Sequence, residues 1–283
     1  MKRVLAADVG GTTTKAARVD AGGHIEDRRE EPTPRDPAEG VALIARLWDA
    51  LGPGEGRALA VAGGIRDADG EITQSPNLQR WEGTRPGVDL ACGVLNDANA
   101  ALLGEAWCGA LEGARSAVLL TLGTGVGGGG LLDGRLWTGA GGCAGEIGHV
   151  PVWPDGPPGS TGARGYLELY ASARGVAKAA GTRDAAEAAK LARGGEPRCR
   201  GAFRKAGEAL GIALSGLVNA FNPEAICIGG GMAPALDLMI DDIWAELRAR
   251  AFRLALEGLE VVPAALGNDA GLLGAAFLAL EVE

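Results

Sequence analysis

The sequence predicts an α/β protein built in two halves, on three observations. At 283 residues the chain is long enough for two ordinary domains, each with its own core. Apolar runs of strand length alternate with longer segments that show helical periodicity. An apolar run also breaks twice into a Gly-Thr turn, at Gly10–Thr12 and at Gly123–Gly125, once at the opening of each half. Two such turns at equivalent places are far less expected by chance than one.

The elements follow in order. Val4–Val9 and Lys15–Val19 read as strands around Gly10-Gly11-Thr12-Thr13-Thr14, and Asp20–Gly23 turns the chain again toward His24. Pro32–Pro37 is a loop, and Ala38–Leu51 is a helix with Val41, Ile44, Ala45 and Trp48 on its core face. Arg57–Gly64 is a buried strand, Asp67–Gly70 a turn between short strands, and Ser75–Leu78 a loop. Val88–Leu95 reads as a strand leading through Asn96-Asp97-Ala98-Asn99 into a helix over Ala100–Trp107. After a hinge at Gly113–Arg115, Ala117–Val126 repeats the opening pattern and runs into Gly127–Gly130. Arg183–Lys190 is helical, Arg193–Lys205 is a basic run with no assigned function, and a long helix from Ala206 carries Leu210, Leu214, Leu217 and Phe221 before ending at Asn222-Pro223. Ala225–Gly231 is a buried strand opening into a third glycine loop. Mixed helix around Ile240–Leu254 and a strand at Leu259–Val262 come next, and small residues at 270, 271, 274 and 275 suit a closely packed final helix.

Composition narrows the function. Apolar residues make up 47% and charged residues 22%, as in folded globular proteins. The net charge of −9 argues against nucleic acid as a partner. Five cysteines without C-x-x-C spacing indicate neither a zinc ribbon nor a disulfide framework, so a reducing cytoplasm is expected. No membrane association is expected either, because no stretch approaches the length of apolar sequence that spans a bilayer.

Several residues are candidates for chemistry. Backbone amides of the Gly-Thr turns can face phosphate oxygens, and Asp8 can orient Mg²⁺ through water, although a hairpin turn has the same pattern. Asn77 offers a donor and an acceptor to a hydroxyl or simply makes a turn. Asp97 sits where open α/β sheets gather ligand-binding residues, which is also where a helix N-cap sits. Gly139–His149 is glycine-rich and holds Glu146 and His149, one of two histidines in the chain. It reads as a substrate-binding wall or as a surface turn. At Gly229–Gly231 a base or ribose has bare backbone to lie against.

Taken together, Asp8-Val-Gly-Gly-Thr12, Asn96-Asp97, Leu122-Gly-Thr-Gly-Val-Gly127, Gly145-Glu-Ile-Gly-His149, Ile228-Gly-Gly-Gly231 and Asn268-Asp-Ala-Gly-Leu-Leu-Gly-Ala275 resemble the ROK family of sugar kinases and repressors. The match runs nearly end to end. It implies the two-lobed actin-like ATPase (ribonuclease H-like) fold, each lobe a mixed sheet flanked by helices, closing around ATP, Mg²⁺ and a sugar. The lobes implied are 1–115, joined by the final helix at about 268–283, and 116–267. Asp97 matches the general base; Asn77, Asn96, Glu146, His149 and Glu168 match sugar-binding positions. Asp8, Gly10, Gly11 and Thr12, with Gly123, Thr124 and Gly125, match the phosphate side, and Gly229, Gly230 and Gly231 the adenosine side.

The activity implied is that of an ATP-dependent glucokinase, in a homodimer or tetramer. Fructose, mannose, N-acetylglucosamine or N-acetylmannosamine are the alternative acceptors, and polyphosphate the alternative donor. A sugar-sensing regulator without catalysis is a further alternative, but a DNA-binding module has no room ahead of the first turn at residue 10. One departure stands out. Where the resemblance places three cysteines that bind zinc together with the histidine, this chain has Gly159, Thr161 and Tyr166, so no zinc is expected. His149 then needs other support from hydrogen bonds and packing, with Tyr166 a candidate.

Overall fold

The structure is a computed structural model that describes residues 2–159 and 162–281. The chain divides into two compact units. The first comprises Met1–Gly113, Leu136–Ala144 and Asn268–Glu283, and the second Ala114–Arg135 and Gly145–Gly267. Leu136–Ala144, expected with the second half, clusters with the first unit, where Gly142 lies against the Ile65 carbonyl and Asp67.

In the first unit β1 (Arg3–Val9), β2 (Thr13–Asp20) and β3 (Ile25–Pro32) form an antiparallel meander. Helix α1 (Pro37–Leu51) is capped by the Asp36 carboxylate, which accepts from the Ala38 and Glu39 amides. Its core face is centred on Leu43, Ile44, Leu47, Trp48 and Leu51, while Val41 and Ala45 lie at the margin. Trp48 is fully buried, and its indole N–H donates to the Ala6 carbonyl at 3.2 Å. Next come β4 (Arg57–Val61), the small hairpin β5 (Gly64–Ile65) and β6 (Ile72–Gln74), the short helix α2 (Pro86–Asp89), β7 (Gly93–Asn96) and helix α3 (Asp97–Cys108). The strand expected over Val88–Leu95 is confined to β7. Pro86 opens a helical turn instead, and Val88 is 68% exposed. Strands order as β3-β2-β1-β4-β7, with β1, β4 and β7 parallel.

The second unit repeats this plan. Strands β8 (Ala117–Leu122), β9 (Val126–Leu132) and β10 (Arg135–Leu136) are followed by helices α4 (Glu168–Ala171), α5 (Ala173–Ala180), α6 (Ala185–Arg193) and α7 (Pro197–Phe221). Strand β11 (Ala225–Gly229), helix α8 (Ile240–Arg250) and strand β12 (Glu260–Pro263) complete it. The sheet order is β10-β9-β8-β11-β12, with β8, β11 and β12 parallel. Its core is built on Leu120, Phe203, Leu210, Leu214, Ile226 and Ile228. The basic run is the opening of α7, whose N-cap is Glu196, and Asn222 closes that helix in the left-handed conformation.

The C-terminal helix, Ala270–Glu281, belongs to the first unit and packs along α3. Their crossing is close because the facing positions are small. A Cβ at Gly104 would run into the Ala270 carbonyl, and one at Gly274 into the Ala100 carbonyl. Among the described residues no helix is long and apolar enough to cross a membrane. The five cysteines are free.

Candidate active site

In open α/β sheets ligands gather beyond the carboxyl ends of parallel strands. The first unit places two of its candidate segments there. Val9, Val61 and Asn96 are in register across β1, β4 and β7, so the Gly10–Thr12 turn and Asp97 leave the same edge of the sheet, two strand spacings or about 10 Å apart.

Asp97 is the first residue of α3, and the N-cap is Asn96. The Asn96 carbonyl oxygen accepts from the Ala98 and Asn99 amides at 2.9 and 3.1 Å, and its amide donates to the Gly63 carbonyl at 2.8 Å and to Asp97 Oδ1 at 3.0 Å. These four bonds use the whole capacity of an asparagine side chain. Without ligand, the Asn96 side chain thus acts as an internal brace for Asp97. Asp97 Oδ1 also accepts from the Ala98 amide at 3.0 Å, so two donors fix the carboxylate at the exposed end of the helix. Asn77 backs onto the first turn, where a Cβ at Gly11 would come within 2.9 Å of the Asn77 Cβ. Both line a cavity of about 330 Å³ together with Thr33, Arg35 and Arg80.

Asp8 is half-buried near the end of β1, 4.0 Å from Lys15. Burial pushes its carboxyl above the ordinary aspartate value, Lys15 and Arg28 pull it down, and Asp269 adds to the rise. A carboxylate with a raised value in the fold contributes stability only when protonated, and that contribution is lost as pH rises through the folded value. Burying Asp8 thus costs the ligand-free protein stability at neutral pH. Asp8→Asn is expected to raise the melting temperature without ligand at pH 7 to 8, with the difference from wild type closing below roughly pH 4. A variant that melts below wild type at pH 8 contradicts this electrostatic account. As a site for Mg²⁺ the residue fits, because that ion is held through one or two carboxylates, water and the substrate phosphates.

The second unit brings its two glycine turns together. Strands β8 and β11 are parallel neighbours, so Gly123–Gly125 and Gly229–Gly231 emerge side by side from their carboxyl ends. Gly230 has φ of 79°, and a Cβ there would meet the Leu122 backbone. The Met232 amide donates to the Leu122 carbonyl at 3.0 Å, tying one turn to the other. Glu168, at the start of α4, accepts from the Val126 amide at 2.9 Å, and the Ala173 amide donates to the Gly123 carbonyl at 2.8 Å. Glu168 is thereby linked to the phosphate-type turn, which the sequence does not reveal.

Glu146 and His149 flank a single 3₁₀ turn over Ile147–His149, both side chains exposed, with the His149 amide donating to the Glu146 carbonyl at 3.1 Å. Ile147 and Gly148 are buried against β9, whose glycines make room for them: Gly128 meets Ile147 and the Gly145 carbonyl. The run Gly127–Gly130 is accordingly strand, a bare surface on which this turn lies flat. The glycine-rich loop crosses between units after Ala144, leaving Gly139–Ala144 in the first and Glu146 and His149 in the second.

At the three positions where the resemblance placed cysteines beside His149, the sequence supplies no thiolate. Gly159 has no side chain, Tyr166 presents an aromatic ring, and Thr161 lies outside the described residues. Among the described residues no group of three or more His, Cys, Asp or Glu could hold a metal.

The order of these segments along the chain is that of a known group of proteins. The model of the ROK family matches residues 4–282. The chain belongs to the ROK family. The glucokinase of Halalkalibacterium halodurans is 37% identical over 98% of this chain and 94% of its own. An N-acetylmannosamine kinase of Escherichia coli is 34% identical over 98% of each. Among solved structures, a ROK family glucokinase from Streptomyces griseus in complex with glucose and AMPPNP is similar with a TM-score of 0.81 and 30% identity, covering 99% of both chains. The ROK fold with its two mixed sheets is therefore the fold of this protein.

Proposed function

We propose that the protein is an ATP-dependent hexose kinase that transfers the γ-phosphate to glucose, giving glucose 6-phosphate. The observation that carries the reading is the braced carboxylate of Asp97, held by Asn96 and the Ala98 amide at the sheet edge from which the first Gly-Thr turn also leaves. Phosphoryl transfer depends chiefly on positioning and on neutralising charge. Asp97 takes the proton from the attacking sugar hydroxyl. Asn77, Glu146, His149 and Glu168, which match the family's sugar-binding positions, bind the other hydroxyls. The amides and hydroxyls of Gly10–Thr12 and Gly123–Gly125 cradle the phosphates, and Gly229–Gly231 face the adenosine. Asp8 would hold the Mg²⁺ carried with ATP, which would supply charge neutralisation at the phosphates. The similarity to glucokinases from two bacteria supports glucose as acceptor, and the 34% identity to an N-acetylmannosamine kinase makes that sugar the second reading. A homodimer or tetramer and a cytoplasmic location belong to the same proposal.

A coupled assay over a panel of hexoses and their N-acetylated amino derivatives, with ATP and polyphosphate as donors, tests it. Glucose with ATP is expected to give the highest kcat/KM, and a chain that phosphorylates none of the panel overturns the reading. Glu168 provides a finer check, because the carboxylate proposed as a sugar ligand also anchors the Val126 amide. Glu168→Ala is expected to raise KM for sugar and for ATP, each by roughly 10-fold or more, the scale of a lost charged hydrogen bond. Glu146→Ala should raise only the sugar KM; an unchanged ATP KM in the Glu168 variant removes the link to the turn.

A further inference from the structure

Among the described residues between His149 and Glu168, two arms of the chain pair. The Leu167 amide donates to the Val150 carbonyl at 3.0 Å, and the Val152 and Trp153 amides both donate to the Gly165 carbonyl, at 2.9 and 3.0 Å. Isolated bridges join Pro151 to Tyr166 and Pro158 to Arg164. His149 lies at one end of this loop and Glu168 at the other, so the loop sets the spacing of two proposed sugar ligands.

Aromatic rings fill it. Tyr166 is 2% exposed, and its ring lies 5.2 Å from the His149 ring at a tilt of 36°, within the range of favourable aromatic pairs. The Tyr166 ring is seated over Gly159 so closely that a Cβ there would collide with it. Farther along, Trp153 meets Tyr170 edge to face at 4.5 Å, and Lys205 from α7 places its ammonium 3.5 Å from the centre of the Trp153 ring. Trp153 and Tyr170 both pack on the core of the second unit. Gly159 and Tyr166 occupy two of the three positions at which the family resemblance placed zinc-binding cysteines. The side chain missing at one position leaves space for the large ring at the other, and that ring reaches the imidazole that would have been the fourth ligand.

We infer that Tyr166 is a positioning residue for sugar binding. Its ring, packed between Gly159 and His149, holds the imidazole in a fixed pose without a metal, and the Trp153–Tyr170–Lys205 stack anchors the loop to α7. The inference rests on the reading of His149 as a sugar ligand.

Two measurements on the full chain test it. The protein has two histidines, His24 and His149, so the imidazole resonances can be assigned with a His149→Gln variant. A ring-current displacement of the His149 resonances is expected in wild type and in Tyr166→Phe, and its loss in Tyr166→Leu. In parallel, Tyr166→Leu is expected to raise sugar KM roughly 3- to 10-fold, the scale of one lost aromatic pair, with kcat and ATP KM changed less than about twofold and Tyr166→Phe restoring the wild-type value. If the leucine variant does not fold, Gly159→Ala, which displaces the ring from the other side, is read by the same signals. Identical His149 resonances with and without the ring, a phenylalanine variant as impaired as the leucine one, or one tightly bound zinc per chain by metal analysis each overturns the inference. The resonances decide the packing even in a chain that phosphorylates no sugar, so this result is separable from the kinase assay.

Discussion

Asp97→Asn is expected to lower kcat by roughly 100-fold or more while leaving sugar KM within a few-fold of wild type, the usual scale for removing a general base. The substitution isolates the chemistry because the brace survives it. Asp97 Oδ1 accepts from the Asn96 side chain and from the Ala98 amide, both at 3.0 Å, and an asparagine carbonyl can accept from both donors in the same pose. What is lost is the charge and basicity needed to take a proton from the sugar hydroxyl. The coupled assay with saturating ATP separates the two parameters. Turnover near wild type would remove Asp97 from the role, whereas a large rise in KM at normal kcat would make it a sugar ligand.

The second large effect is expected far from any ligand. Gly274→Leu should prevent the first unit from folding, and Gly274→Ala should cost it about 1–3 kcal/mol, the range for overfilling a packed site. The glycine faces the Ala100 carbonyl one turn along from the Gly104–Ala270 contact, and neither backbone can retreat while both helices also pack on the sheet. Urea unfolding measured on the alanine variant gives the cost, and an unfolding curve superimposable on wild type rules out the close crossing. Because α3 begins at Asp97, the alanine variant should also show reduced kcat even where it is fully folded.

Much of the fold was legible because its strongest signals are local. Gly-Thr turns follow buried strands, and the apolar stripe of α7 runs through Leu210 and Leu214 in sequence and structure alike. Elements whose identity is decided by neighbours were harder to read. Strand β3, Ile-Glu-Asp-Arg-Arg-Glu-Glu-Pro, has no apolar alternation and forms because β2 offers it an edge. The Val88–Leu95 run looked like one strand because apolar content alone does not register how Pro86 sets a helical turn before it. At the site, residue types pointed to Asp97, but the division of work between it and Asn96 depends on hydrogen-bond directions that no spacing encodes. The link from Glu168 to the Val126 amide spans 42 positions and is visible only once α4 and β9 are in place.

The C-terminal helix carries a consequence for how the protein is made. The first unit obtains part of its core, including the wall behind α3, from Ala270–Glu281, at the far end of the sequence from β1. During synthesis at about 5–20 residues per second, its first 113 residues must wait on the order of ten seconds for that helix to be added, while the intervening segment, most of it the second unit, is made. Throughout that interval the small apolar face of α3, with Ala100, Ala101 and Gly104, lacks its partner. Slow codons just ahead of residue 270 should therefore prolong the exposure of that face and lower soluble yield without altering the finished enzyme.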